Sequence, residues 1–203
     1  MLRGRLSRPW WGLCLVAAGG ALIAQRVDPA VLRWQPELVL SQPWRCISAA
    51  WVHLSPLHLA ANLVGTALLA ALGTVAGCGR RAALAWALAW PLTHLALLLQ
   101  PALASYGGLS GWLHAGVAVA ACQLLRGDRG QRRGVGAALL AGLLAKVVLE
   151  APWLSPLRVV PGWDIAIAPM AHAVGAVAGL SCALACGVGG VDDAAGRRGG
   201  GAG

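Results

Sequence analysis

Three short stretches of this chain carry side chains suited to acyl-transfer chemistry. Ser110 lies in Tyr106-Gly-Gly-Leu-Ser-Gly-Trp-Leu-His114, flanked by Gly107, Gly108 and Gly111. A hydroxyl that attacks a peptide carbonyl needs a second backbone to come close, and glycine, lacking Cβ, leaves that room. If a helix starts at this serine, its first-turn N–H groups have no intrahelical partner and can receive an oxyanion. His172 lies in Ala171-His-Ala-Val-Gly-Ala-Val-Ala-Gly179, with Gly175, Ala176 and Gly179 on its own helical face. A face of small residues lets a helix press against its neighbour, the closeness that a Ser–His hydrogen bond between two helices requires. His53, His58 and Asn62 form His-x4-His-x3-Asn. His58 and Asn62, four apart, share a face and can donate side by side to a developing oxyanion. Each residue alone also has an ordinary structural reading: a serine bonded to its own helix, a packed histidine, interfacial histidines beside a packing asparagine.

The elements that must position these groups are membrane spans. Of 203 residues, 58% are hydrophobic and only 11% charged, with a mean hydropathy of +0.68. A soluble domain usually carries about 25% charged residues. Spanning helices need roughly 20 apolar residues, and six segments qualify or nearly so: about 10–25, 56–76, 82–100, 107–125, 134–151 and 165–186. The fold class expected is therefore all-α, a bundle of six transmembrane helices. Residues 1–9 form a cytoplasmic N-terminus, 10–186 the membrane domain and 187–203 a disordered tail rich in Gly, Ala and charge. Arg3, Arg5 and Arg8 before a short apolar stretch imitate a signal peptide, but five further spans favour an uncleaved first helix.

The net charge of +9 invites a nucleic-acid reading that its placement argues against. Arg3, Arg5, Arg8, Arg80, Arg81, Arg126, Arg129, Arg132, Arg133, Arg197 and Arg198 all fall on one side of the spans. The other side has only Arg26, Arg33, Arg45 and Arg158. This is the asymmetry of topology charges, and it puts both termini in the cytoplasm. Six cysteines include no CxxC pair and read as small apolar side chains, with no disulfide framework and no metal site. His-Glu-x-x-His is absent, which argues against metalloprotease chemistry, and no cofactor is expected. Trp10, Trp11, Trp44, Trp51, Trp153 and Trp163 lie near predicted span ends, as an aromatic belt does.

Spans two, four and six all run from outside to inside. Asn62, Ser110 and His172 each fall within about the first two turns of their spans at ~1.5 Å per residue, so they can meet in one layer below the outer surface. Independent packing residues have no need to share a layer.

These residues, taken in order, resemble the rhomboid family of intramembrane serine proteases. The resemblance rests on Trp44-Arg45 in the first loop, His53-x4-His58-x3-Asn62, Gly108-Leu-Ser110-Gly111 and Ala171-His172-x2-Gly175-x3-Gly179, and it covers residues 44–180. It implies a Ser110 nucleophile, a His172 general base and acid, an oxyanion hole of His58, Asn62 and the Ser110 N–H, and a structural His53 ordering the first loop. It implies a dyad, with no third, acidic member. His114 departs from the family pattern, which has an aromatic there. It shares a face with Ser110, and stacking on His172, bonding to it, or competing as the base all remain open, with His172 favoured. His94 has no motif match and reads as structural.

The segment around Ser110, the short length and Lys146 with Glu150 resemble one subgroup, the rhombosortases. That resemblance implies cleavage of secreted proteins held by a C-terminal anchor of glycine-rich motif, apolar helix and basic residues, in a Gram-negative inner membrane. Lys146 and Glu150, four apart in span five, either neutralise each other or line the substrate's way in. Partners expected are an anchored protein substrate and the bilayer, and no nucleic acid. Competing readings are a pseudoenzyme that binds spanning helices, a haem or metal protein, and an ion transporter, which would favour more buried charge.

Overall fold

The computed structural model describes residues 7–126 and 130–189. Arg3, Arg5, Arg129, Arg197, Arg198 and the tail from residue 190 lie outside the described residues. The chain is all-helical there, without strands; two isolated bridges join Trp34 to Tyr106 and Arg158 to Ile167.

Helix α1, Arg8–Ala24, leads into a long loop holding α2 (Pro29–Leu32), α3 (Arg45–Ser48) and two 3-10 turns. Then come α4 (Pro56–Ala76), α5 (Arg80–Leu95, continued by a 3-10 turn to Leu99), α6 (Ser110–Leu125), α7 (Gly130–Glu150) and α8 (Pro169–Ala185). Local sequence sets the ends. Ser55 caps α4 by accepting from the His58 N–H at 3.0 Å, and Pro56 occupies the first turn, where its missing N–H costs nothing. Gly77 ends α4 in the left-handed region, φ 71°, with the Cys78 N–H returning to the Gly73 carbonyl at 2.8 Å.

Two spans start later than the expected boundaries. The apolar run predicts the fourth from residue 107, but Gly108 has φ +138° and the helix begins at Ser110. The apolar run predicts the sixth from residue 165, but Ile167 is held in its bridge to Arg158 and Pro169 opens α8. Residues 187–189 also depart from the expected tail: Val188 is fully buried and its carbonyl accepts from Arg126 Nη1 at 3.1 Å, so the packed body continues past Cys186.

Helix α6 is the centre. It is buried along most of its length and packs on α4, α5, α7 and α8. Small residues bring α6 and α8 together: a Cβ on Gly175 would overlap the Gly111 carbonyl, and one on Gly179 would overlap that of Ala115. A stack of indoles fills the core between α1, α5 and α6. Trp86 and Trp112 lie 4.6 Å apart and exchange hydrogen bonds, each Nε1–H donating to the other's carbonyl, at 2.9 and 2.8 Å. Trp10 joins this stack, 4.6 Å from Trp86 and wholly buried. It is a core residue and not the interfacial anchor expected, because its Nε1–H finds the Leu69 carbonyl inside the bundle. Trp44 and Trp153 are exposed, as anchors would be.

Large apolar side chains such as Leu15, Ile23, Val64, Leu68, Leu144 and Val177 are exposed on helix faces, too many for a water-facing surface. Two helical stretches, Pro56–Ala76 and Arg80–Leu99, are long and apolar enough by themselves to cross a bilayer; α1, α6 and α8 are apolar but shorter. Only Gly136 of α7 is buried, where it meets the α6 backbone. Toward its C-terminal half α7 leaves a cleft of about 1380 Å³, walled by α4, α6, α7 and residues 157–168.

Candidate active site

The loop before α6 is tied down on both sides. Tyr106 and Trp34 exchange backbone hydrogen bonds of 3.0 and 2.9 Å, and the Gly108 N–H donates to the Ala49 carbonyl at 2.9 Å. Glycine is needed at 108 twice over. Its φ of +138° suits no side chain, and a Cβ there would sit 2.8 Å from His58 Nε2. A Cβ on Gly107 would meet Val52 at 2.7 Å, and one on Gly111 would meet the Ala171 carbonyl of α8 at 2.9 Å. Ser110 is thus delivered to the first turn of α6, between α4 and α8.

His172, in the first turn of α8, places Nε2 3.1 Å from Ser110 Oγ. Its Nδ1 lies 2.6 Å from Glu150 Oε2, at the end of α7. The other oxygen, Oε1, is paired with Lys146 Nζ one turn earlier on α7. A carboxylate accepts only, so His172 Nδ1 carries the proton and Nε2 presents a lone pair to the serine hydroxyl. Lys146 and Glu150 therefore do not answer only each other: Glu150 serves two partners. The family resemblance implies no acidic partner for Ser110 and His172, yet a carboxylate lies against the His172 ring here, a contact that joins residues on separate helices and leaves no mark in their spacing.

His114 lies flat against His172, ring centroids 4.2 Å apart and planes 14° from parallel. Its Nδ1 is 2.6 Å from the Ser110 carbonyl, so Nδ1–H donates along its own helix. Of the three openings for His114, the geometry is that of a stacking ring. It sits where an aromatic would and is no hydrogen-bond partner of Ser110 Oγ.

His58 is buried, with its ring 4.8 Å from that of His53. The Leu54 N–H makes a long contact of 3.5 Å to His58 Nδ1, which leaves Nε2 as the protonated nitrogen facing Gly108. Asn62 lines the same cleft and donates one N–H to the His58 carbonyl at 3.1 Å. His53 donates through Nδ1 to the Trp51 carbonyl at 3.0 Å, and burial lowers its pKa from the ordinary histidine value. Arg45, itself buried, gathers the first loop by donating to the carbonyls of Ala30 and Arg33 and to Gln42 Oε1, at 2.9, 2.7 and 2.7 Å. His94, wholly buried, bonds the Trp90 carbonyl at 3.1 Å, outside the cleft.

Ser110, His172, His58, Gly108, His114 and Glu150 are thus brought together at one end of the bundle, and Asn62 and Lys146 share the cleft wall. Tyr106 is a site residue that the motif spacing does not mark. Its hydroxyl lies 3.3 Å from Ser110 Oγ, donates to the Gly108 carbonyl at 3.1 Å and accepts from the Gly111 N–H at 3.3 Å. Burial raises its phenol pKa, so it stays protonated. The available signal was that this is the chain's one tyrosine, four residues before the serine. No metal-holding cluster of His, Cys, Asp or Glu occurs among the described residues.

A half-buried hydroxyl, an imidazole with its free lone pair toward it, and nearby N–H donors are the parts needed to attack a carbonyl and hold the resulting oxyanion. Comparison with known families matches residues 40–188, most of the chain, to the rhomboid domain. No curated protein matches the chain.

Proposed function

Since the chain belongs to the rhomboid family, whose members are membrane-embedded serine proteases, we propose that it is an active intramembrane endopeptidase working through Ser110 and His172. The observation that carries this reading is the 3.1 Å contact between Ser110 Oγ and His172 Nε2 at the head of an apolar cleft. Six helices span the bilayer, with the site on the outer, Arg-poor side and both termini in the cytoplasm.

A substrate's apolar anchor lies between α4 and α7, with its scissile carbonyl beside Gly108. Ser110 attacks as His172 takes the hydroxyl proton. The oxyanion rests on the Ser110 N–H, His58 Nε2–H and the second Asn62 N–H. His172 then gives its proton to the leaving amine, and water releases the acyl group. His53 and Arg45 hold the loop that backs His58, while Gly111 and Gly175 set the α6–α8 distance.

Within the family the reading we favour is the rhombosortase subgroup, acting on C-terminally anchored secreted proteins in a bacterial inner membrane. It is supported by the Tyr106–His114 segment and by Lys146 and Glu150 on the cleft wall. A glycine-rich stretch before the anchor suits a site packed this tightly around Gly107 and Gly108.

The test is labelling of membranes with a fluorophosphonate probe, comparing wild type with Ser110→Ala and His172→Ala. Labelling of wild type alone is expected. Equal labelling of all three defeats the assignment. No labelling of any leaves the helix-binding pseudoenzyme as the better reading.

A further inference from the structure

We infer that Glu150 completes a three-residue relay with His172 and Ser110, and that Lys146 is the positioning residue that fixes its carboxylate. This rests on the protease reading above and departs from the two-residue machinery that the family resemblance implies.

Four observations carry it. Glu150 Oε2 is 2.6 Å from His172 Nδ1, on the side of the ring opposite Ser110. Both carboxylate oxygens are engaged, Oε1 by Lys146 and Oε2 by His172, so the group cannot swing. His114 stacked on the imidazole blocks rotation of the ring away from the line joining Oε2 to Oγ. The end of α7 is itself pinned: Arg158 Nη1 donates to the Leu149 carbonyl at 2.7 Å, and Ala151, next to Glu150, stands in the left-handed region at φ 48°. A non-glycine residue persists there only where its surroundings over-determine it.

A carboxylate in an apolar setting is costly unless paired. An ion pair meant only for topology has no need to turn inward, yet the Glu150 side chain is 11% exposed while that of Lys146 is 46% exposed. Lys146 reaches the surface, and Glu150 reaches the base.

In the attack, the Ser110 proton moves to His172 Nε2 as the Oγ–carbon bond forms. Nδ1–H stays shared with Glu150, which remains ionised and stabilises the imidazolium. The proton on Nε2 passes to the amine nitrogen as the carbon–nitrogen bond breaks. In deacylation the oxygen of water bonds to the acyl carbon as its proton passes to Nε2, and that proton goes to Oγ as the Oγ–carbon bond breaks and the carboxylic acid leaves.

The test uses the full chain in lipid nanodiscs with a fluorophosphonate probe, separating the limiting labelling rate from the half-saturating concentration. Glu150→Gln keeps the size and loses the charge. Its limiting rate is expected to fall about 10²-fold with half-saturation within about twofold of wild type. Glu150→Asp should recover at least about tenfold of that loss, and Lys146→Gln should fall about three- to tenfold. The inference is overturned if Glu150→Gln labels within about twofold of wild type. It is overturned also if the change is all in half-saturation, which makes Glu150 a gate residue. A third refutation is an equal loss in Gln and Asp variants together with a lowered unfolding midpoint, which makes it a packing residue. Ser110→Ala runs alongside: if wild type fails to label, or Ser110→Ala labels equally, the protease reading itself falls and takes this inference with it.

Discussion

Gly175→Ala places one methyl group where the structure has the least room for it. A Cβ built on Gly175 overlaps the Gly111 carbonyl oxygen and lies 2.8 Å from the carbonyl carbon. Carbon atoms pack at about 3.5 Å or more, and both sides of this contact are backbone, so no rotamer change relieves it. Helix α8 must retreat by about 1 Å. His172 is one turn away on the same face, so its 3.1 Å contact with Ser110 stretches to about 4 Å, past hydrogen-bond range. A displacement of ~1 Å can cost roughly 10²-fold in rate, or about 2.7 kcal/mol of barrier. The stability cost is smaller, because overpacking at about 1–3 kcal/mol is offset by the ~1 kcal/mol gain of alanine over glycine in a helix. Fluorophosphonate labelling should therefore slow by about two orders of magnitude while the unfolding midpoint moves only slightly. Gly19→Ala is the control, since nothing lies within 4 Å of a Cβ there, and it should label normally. Labelling of Gly175→Ala at the wild-type rate would refute the close-approach argument.

Four further outcomes are expected. Tyr106→Phe removes the hydroxyl that touches Ser110 Oγ, Gly108 and Gly111 and should slow labelling about tenfold. His114→Phe keeps a ring on His172 and should label within a few-fold of wild type, whereas His114→Ala should lose about tenfold; near-complete loss in His114→Phe would make His114 the base. Arg45→Ala strands the Ala30 and Arg33 carbonyls and should cost about 3–5 kcal/mol, read as a lower unfolding midpoint. His53 has a folded-state pKa below its unfolded value, so the unfolded chain binds the proton more readily. Stability from this group is complete above about pH 6.5 and falls as pH drops below it. The wild-type midpoint should decline from pH 7 to 5 more steeply than that of His53→Gln, and parallel curves would remove His53 from the account.

Much of the site was legible because its chemistry is local. His58 and Asn62 share a face by helical spacing alone, and Gly175 and Gly179 stand on the His172 face for the same reason. Starting points were less legible. The expected fourth and sixth helices began early because an apolar run does not reveal that Gly108 is pulled out of the helix by the Ala49 carbonyl, or Ile167 by Arg158. Trp10 read as an anchor because position near a span end says nothing of which way an indole turns.

The sequence by itself determined the solvent of this protein, its helical class and a layer in which Ser110, His172 and Asn62 can meet. These follow from composition, periodicity and charge placement, which are properties of one segment at a time. The tertiary structure alone decided that Glu150 faces His172, that His114 stacks instead of competing, and that Tyr106 touches the serine. Each of these depends on the rotation of one helix about its axis relative to another. That rotation is set by where glycines let backbones touch, and it is a property of pairs of segments, which no spacing within one segment encodes.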